Sequence, residues 1–505
     1  MRDHQGPGLR IDANPLKDWL TIQNWYRLLP FAAGLLAGFA LPPQAWLPLL
    51  WLALVPLWGA GPRAGFAWGA AAVLGSHRWL LALHPLDWLG VPGPLSLPLV
   101  LLLLTCCALL GGALVALWGG LVQGLGPRRW STALLAALVW GLAEVLLARL
   151  PLFWLGLGVA PLPLDRPLAG LAALGGAGLV AAVQILISWF LWRRAWAALL
   201  VLILAAHGLG WGALAAAGPR AGAAGVGSAA TPAAPALRLQ QVQPALPTRQ
   251  KFEFTQQRRL FALLDQAQIQ GASQGAAAVL LPEGSLLLGQ PLQQPAALPI
   301  LAGGFRREGL EERSSVLWIA KGAQNPSRWL DKHRLVPLGE WVPGGEWLQW
   351  RGLSAVGGLS PGLPSRHLEL PIGAAGVAIC YELSDGTGLA QAVRAGAQWL
   401  LVVANLDPYP AQLQQQYLAL AQLRAIETGR WLVSVANTGP SAVVDAQGVV
   451  RGLLPLGAPL TAPLGLELRQ GLTPYDRWGE IPLVVVLVLT AIVTFGRRRF
   501  RKATQ

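Results

Sequence analysis

Cysteine is scarce in this chain: there are three in 505 residues, two of them adjacent at Cys106 and Cys107. That excludes a disulfide framework and leaves no zinc-ligand spacing. Charge is scarce as well. Only 12% of residues are charged and 54% are hydrophobic, where soluble proteins average roughly 25% charged. The composition is that of a membrane protein. Acidic residues are scarcest outside one region. Between Leu237 and Glu480 there are 20 Lys and Arg against 18 Asp and Glu, whereas the remaining residues hold 18 against 6. Of the net charge of +14, +12 therefore belongs to the apolar part and the tails. It reads as membrane orientation and argues against nucleic-acid binding.

Residues 1–27 lack the compact charged, apolar and small-residue pattern of a cleaved leader, and are expected to form a cytoplasmic tail. Apolar segments follow at about 28–42, 45–61, 65–86, 97–123, 130–148, 167–192 and 195–216, with a last one at 481–496. Most approach the ~20 residues that cross a bilayer as a helix. Basic residues fall at the N-terminal tail, Arg63, Arg128–Arg129, Arg193–Arg194 and Arg497–Lys502. With about eight spans, all of these lie on one side, so both termini are expected in the cytoplasm and the long segment after span seven outside. Arg78 departs from the pattern and is placed at the outer end of span three. Glu144, inside the fifth span, is open to two readings: a functional carboxylate, or one bonded to a neighbouring helix.

The expected organisation is a tail at 1–27, a seven-span bundle at 28–216, a Gly/Ala/Pro linker at 217–236, an α/β domain at 237–472, an eighth span at 481–496 and a basic tail at 497–505. Within 237–472, short apolar runs alternate with helical stretches. Strands are expected at 237–243, 276–281, 315–320, 376–380, 399–405 and 431–437. Helices are expected at 255–270, 388–397 and 411–428, and a hairpin around Asp445–Gly448. Such alternation predicts a layered α/β domain.

Three residues suited to acyl transfer fall at strand ends or just past a hairpin: Glu283, Lys332 and Cys380. A buried thiol usually behaves as a small hydrophobe, and any α/β domain offers some Glu, Lys and Cys. A carboxylate could serve as the thiol's base, and an ammonium could steady an oxyanion. Spacing alone leaves the choice open.

The surrounding residues go further. Leu281-Pro-Glu283, Asp331-Lys332 through Glu340, and Ile379-Cys380-Tyr381-Glu382 resemble the three signature segments of the carbon–nitrogen hydrolase (nitrilase) superfamily. Lys332-x-x-Leu-Val-Pro-x-Gly-Glu340, followed by Trp341-Val-Pro343, is similar to its membrane-bound branch, the apolipoprotein N-acyltransferases. Pro167–Ala172 and Gly471–Tyr475 resemble that family too. The resemblance implies a nitrilase-like αββα sandwich on a polytopic helical bundle in the bacterial cytoplasmic membrane. It implies an acyl donor that is a glycerophospholipid, an acceptor that is the α-amine of a diacylated apolipoprotein, and neither cofactor nor metal. It assigns Cys380 as nucleophile, Glu283 as base and Lys332 as oxyanion partner, with Glu340, Tyr381 and Glu382 in support. A membrane-tethered amidase that passes the acyl group to water remains the alternative.

Two segments read as lipid-facing: Ser285–Gly303, rich in Leu, Pro and Ala, and the loop carrying Trp341, Trp347 and Trp350, since Trp favours the bilayer interface. One segment departs from the family pattern. Asn405-Leu-Asp407-Pro-Tyr409 stands where the family has Asn-Asp-x-Trp-Phe, so the border of the acyl pocket is expected to differ there.

Overall fold

The computed structural model describes residues 22–87, 91–150, 153–218, 237–251, 253–336, 339–341, 358–407 and 409–503, without the side chains of 22–27 and 497–503. Trp347, Trp350 and nearly all of the expected linker lie outside the described residues.

Among the described residues, four helices are long and apolar enough to cross a membrane: Gly93–Leu125, Trp130–Leu147, Ala172–Arg193 and Trp196–Ala216. Shorter apolar stretches lie in the helices Ile22–Ala40 and Ile481–Ala503. The second and third expected spans take a different form. Helix Leu47–Leu54 runs on through Leu57, and the chain reverses at Gly61, whose φ of 73° suits a residue without Cβ. The returning arm, to Ser76, packs against the first, with the Trp68 indole donating to Ala53 O at 2.8 Å. The outgoing arm, about 14 residues, is roughly 20 Å long. Gly61 packs on Gln123 near the far end of helix Gly93–Leu125, so the second and third expected spans are the two arms of one helical hairpin, and Arg78–Leu83 forms a 3₁₀ turn beyond it. Helix Ala172–Arg193 is also broken, at Gly175–Gly176, so continuous helix starts at Ala177 rather than near 167.

The soluble part is two six-stranded sheets laid face to face. One has the order β12-β1-β2-β3-β4-β5 and the other β11-β10-β9-β8-β7-β6. In the first, β1 is Leu237–Gln243, β2 Val279–Leu286, β3 Ile300–Glu308, β4 Glu311–Ile319, β5 Arg328–Asp331 and β12 Leu460–Leu466. In the second, β6 is His367–Leu368, β7 Ala375–Ile379, β8 Trp399–Ala404, β9 Leu432–Ala436, β10 Ala442–Val444 and β11 Val450–Leu453. Alternate residues face opposite ways along each strand. Leu239, Leu280, Leu301 and Val316 thus meet Val377, Ile379, Leu401, Val403 and Val435 between the sheets. The other face of the first sheet packs Val279, Leu281 and Ile300 against Leu260 and Leu264 of helix Phe254–Ser273. That helix starts at Phe254, with Glu253 at its N-terminal boundary.

The other face of the second sheet carries helices Gly386–Arg394 and Ala411–Thr428. Their apolar residues join those of the membrane helices in one continuous core that includes Leu420, Leu423, Val180 and Trp58. The α/β domain therefore sits directly on one end of the bundle. Its contacts go to Pro42, Asp87, Ala148–Trp154, Ala177 and Leu214–Gly218. Arg63, Arg128–Arg129 and Arg193–Arg194 lie at the opposite helix ends. Arg78 lies on the domain side, its guanidinium 4.4 Å from the Phe39 ring centre.

Two further expectations need correction. Strand β2 does not stop at Leu281; it runs to Leu286 with an irregularity that carries Glu283. In the segment 285–303, Leu292 and Ala296 are buried in the core beneath helix Phe254–Ser273, which takes them out of the lipid-facing role expected for that insertion.

Candidate active site

One strand irregularity and two strand ends converge. Glu283 sits at the irregularity within β2, beside Gly284, whose φ is 64°. Lys332 follows β5, which pairs antiparallel with β4. Cys380 follows β7 and adopts φ 53°, a left-handed conformation that non-glycine residues rarely hold and that occurs at functional sites. The chain then turns into a short 3₁₀ segment, Cys380–Ser384. This geometry aims the thiol off the strand axis.

The side chains meet in the order the chemistry needs. Lys332 is almost fully buried, and its ammonium donates to Glu283 Oε1 at 2.9 Å and to Glu340 Oε1 at 2.7 Å. Burial alone would pull the ammonium down, but the two carboxylates hold it well above its usual range. Glu283 Oε2 accepts the Asn405 backbone N–H at 3.1 Å, and its carboxylate lies near enough to the Cys380 thiol to act on it electrostatically. Burial, followed by the negative charge of Glu283, pushes the thiol well above its ordinary value. At rest Cys380 is thus a protonated thiol beside a carboxylate, an arrangement in which a carboxylate can serve as base.

Glu340 braces Lys332 and accepts the Val336 N–H at 2.8 Å; burial pushes its carboxyl up. Glu382 ties the site together from behind. It accepts from Arg366 Nη1 with both oxygens (2.8 and 2.9 Å) and from three backbone N–H groups: His333 at 2.8 Å, Arg334 at 3.1 Å and Ile379 at 2.8 Å. One carboxylate thus fixes the Lys332 segment against the nucleophile strand. Arg366 has no sequence signal that would have singled it out.

Tyr381 faces the membrane part. Its hydroxyl donates to Leu150 O at 2.9 Å and Phe153 O at 3.1 Å, and Trp154 stacks on its ring. Arg334 lies over the same ring and donates to Ala148 O at 2.7 Å. Tyr417, not singled out from the sequence, donates to Cys380 O at 3.2 Å. Asn405 helps through its backbone, while its side chain bonds Thr248 and Asn437. Trp341, next in the chain to Glu340, is exposed.

A model of the carbon–nitrogen hydrolase family matches residues 298–461. The chain is 49% identical over 496 residues to apolipoprotein N-acyltransferase of Prochlorococcus marinus (strain MIT 9313), covering 93% of this chain and 95% of that one. It is 47% identical to the protein of that name from Parasynechococcus marenigrum (strain WH8102), covering 88% and 95%. The chain belongs to the apolipoprotein N-acyltransferase family.

For an N-acyltransferase, the membrane side of the site matters as much as the thiol. A cavity of about 470 Å³ opens among the helices, lined almost wholly by apolar side chains. It runs from Trp118 and Trp140 to Leu150 and Phe153, the residues whose carbonyls hold Tyr381. Glu144 sits on its wall. The carboxylate accepts from Leu157 N at 2.7 Å, Gly158 N at 3.0 Å and the Trp140 indole at 2.8 Å. These bonds assign Glu144 to bracing the loop over the cavity.

Proposed function

We propose that the chain moves a fatty acyl group from a glycerophospholipid to the α-amine of an N-terminal diacylglyceryl-cysteine, through a thioester on Cys380. In the first half-reaction Glu283 takes the thiol proton as sulfur attacks the ester carbonyl. The Lys332 ammonium and the backbone amide after Cys380 receive the oxyanion. Collapse breaks the ester C–O bond, and Glu283 returns the proton to the departing oxygen, leaving a lysophospholipid and the acyl-enzyme. In the second half-reaction the neutral amine attacks the thioester and Glu283 takes its proton. The C–S bond breaks, and the proton passes to sulfur, restoring the thiol and leaving an amide.

The observation that carries this reading is the Glu283–Lys332–Cys380 cluster next to Tyr381, whose hydroxyl bonds the carbonyls of Leu150 and Phe153 on the wall of an apolar intramembrane cavity. An acyl chain has somewhere to lie while its carbonyl meets the thiol. Trp341, Asn405 and Tyr409 would border the entry. The basic helix ends opposite the α/β domain support an inner-membrane protein with its catalytic domain on the outer face.

The test is mass spectrometry of the Cys380 peptide from protein in phospholipid–detergent micelles. A fatty-acyl adduct is expected in the wild type, absent in Cys380→Ala and in Glu283→Gln, and discharged when a diacylglyceryl-cysteine peptide is added. An adduct that disappears equally fast without the peptide would make the protein a hydrolase.

A further inference from the structure

Lys251 is a second buried lysine at this site, with no part in the chemistry above. Its side chain is 6% exposed and its ammonium donates to the backbone carbonyl of Glu283 at 2.7 Å. A buried ammonium is costly unless its surroundings compensate it. The loop that carries Lys251 is built to hold it there. Leu246 exchanges two hydrogen bonds with the Asn437 side chain, at 2.8 and 2.7 Å. Thr248 N donates to Asp407 Oδ2 at 2.7 Å, and Thr248 Oγ1 accepts from Asn405 Nδ2 at 2.7 Å. Gln257, from helix Phe254–Ser273, donates to Lys251 O at 2.7 Å. The loop therefore leaves β1 in one sheet and is fastened beyond the ends of β8 and β9 in the other.

We propose that Lys251 is a positioning residue for the acyl transfer: it pins the backbone of the base Glu283 and supplies the second positive charge of the buried site. Formal charges favour this role. Glu283 and Glu340 against Lys332 leave one net negative charge, and Lys251 balances it. Attack on the ester replaces a carboxylate charge by an oxyanion, so the set keeps its total and still requires both cations. The titratable groups facing the Lys251 ammonium are Glu283 from β2, Asp407 beyond β8 and the Cys380 thiol beyond β7. Burial brings Lys251 down to about 8, close enough to neutrality for its charge to be lost in mild alkali.

The inference rests on Cys380 and Glu283 acting as proposed above, and two readouts on the full-length protein in micelles separate the two claims. The first is the rate of iodoacetamide alkylation of Cys380 at about pH 7, where Lys251 is charged, and at about pH 9.5, where it is neutral. At about pH 7 Lys251→Met should slow alkylation about tenfold or more, the thiolate fraction lost with a nearby opposite charge, and the gap to wild type should close at about pH 9.5. It should also slow formation of the phospholipid-derived adduct at about pH 7 about tenfold or more, at unchanged KM. Lys251→Arg, which keeps its charge throughout, should match or exceed the wild type at about pH 7 and exceed it at about pH 9.5. A purely structural role would leave the gap independent of pH. A gap that does not narrow with pH in Lys251→Met, or a Lys251→Arg no faster than wild type at about pH 9.5, overturns the inference; the Arg variant decides alone if the Met variant does not fold. Absence of an adduct in the wild type overturns the acyl-transfer reading instead and leaves the alkylation comparison standing.

Discussion

Replacing Glu382 by Gln tests whether the nucleophile segment is held by one buried carboxylate. The perturbation is small in shape and large in charge. Glu382 and Arg366 are 3% and 6% exposed, so Gln strands a guanidinium away from water. It also turns an amide NH₂ towards a cluster of N–H donors from His333, Arg334 and Ile379. Removing one partner of a buried pair costs about 3–5 kcal/mol. At roughly 2–4 °C per kcal/mol for a domain of 150–250 residues, the melting temperature should fall by about 6–20 °C. Activity should fall further than stability, because the same carboxylate sets the Lys332 segment against β7. Thermal unfolding followed by tryptophan fluorescence in micelles gives the first quantity, and the rate of Cys380 adduct formation at a temperature where the variant is folded gives the second. Adding Arg366→Met should recover part of the stability by removing the stranded charge, and none of the rate. A variant that melts within ~2 °C of wild type and acylates normally would refute the argument.

Glu340→Gln removes one of the two carboxylates that hold the Lys332 ammonium. A hydrogen bond to a charged group is worth about 1.5–3 kcal/mol, so the acylation rate should drop about 10–100-fold with KM for phospholipid unchanged, read from adduct formation against lipid concentration. Glu144→Ala should lower the melting temperature more than Glu144→Gln, since Ala leaves Leu157 N, Gly158 N and the Trp140 indole without their acceptor; equal melting of both variants and wild type would remove Glu144 from a bracing role. Glu427 is fully buried, bonded to Ala177 N, and burial pushes it up to about 7 despite Arg424. A carboxyl raised on folding contributes stability that is complete below its unfolded value near 4.5 and lost as pH rises to about 7. The melting temperature should therefore decline over that window by more in wild type than in Glu427→Gln, and parallel pH profiles would contradict it.

The sequence made the α/β domain legible because its strands are short and apolar with turn residues between them. β1 was placed at its observed ends, and the hairpin around Gly448 follows from a glycine at φ 74°. That Glu283, Lys332 and Cys380 belong to one cluster was legible through the motifs around them. What could not be read was whatever depends on tertiary neighbours. Nothing near Arg366 marks it as the partner of Glu382, and nothing near Lys251 marks it as lying under Glu283. Apolar length also left unread how the run at 45–61 ends: Gly61 turns it back into a hairpin with the next helix. The Leu- and Ala-bearing insertion after Glu283 read as lipid-facing because composition does not distinguish a bilayer from a protein core. Leu292 and Ala296 bury themselves in the latter.

Why the two halves belong to one machine follows from the contacts between them. Tyr381 adjoins the nucleophile, yet its hydroxyl is satisfied by carbonyls of the membrane loop at Leu150 and Phe153. Arg334, two residues from Lys332, bonds Ala148 at the end of a membrane helix. On the other side, Glu427 accepts Ala177 N, where the broken membrane helix resumes after Gly176. A helix start buried without an acceptor would be costly, so the α/β domain supplies what the membrane helix lacks. The dependence is mutual. The bundle completes the nucleophile's surroundings, and the domain completes the bundle's helix. Separating them would expose the apolar core they share and leave these polar groups unmatched, which is a physical reason for the α/β domain to stay seated on the bundle.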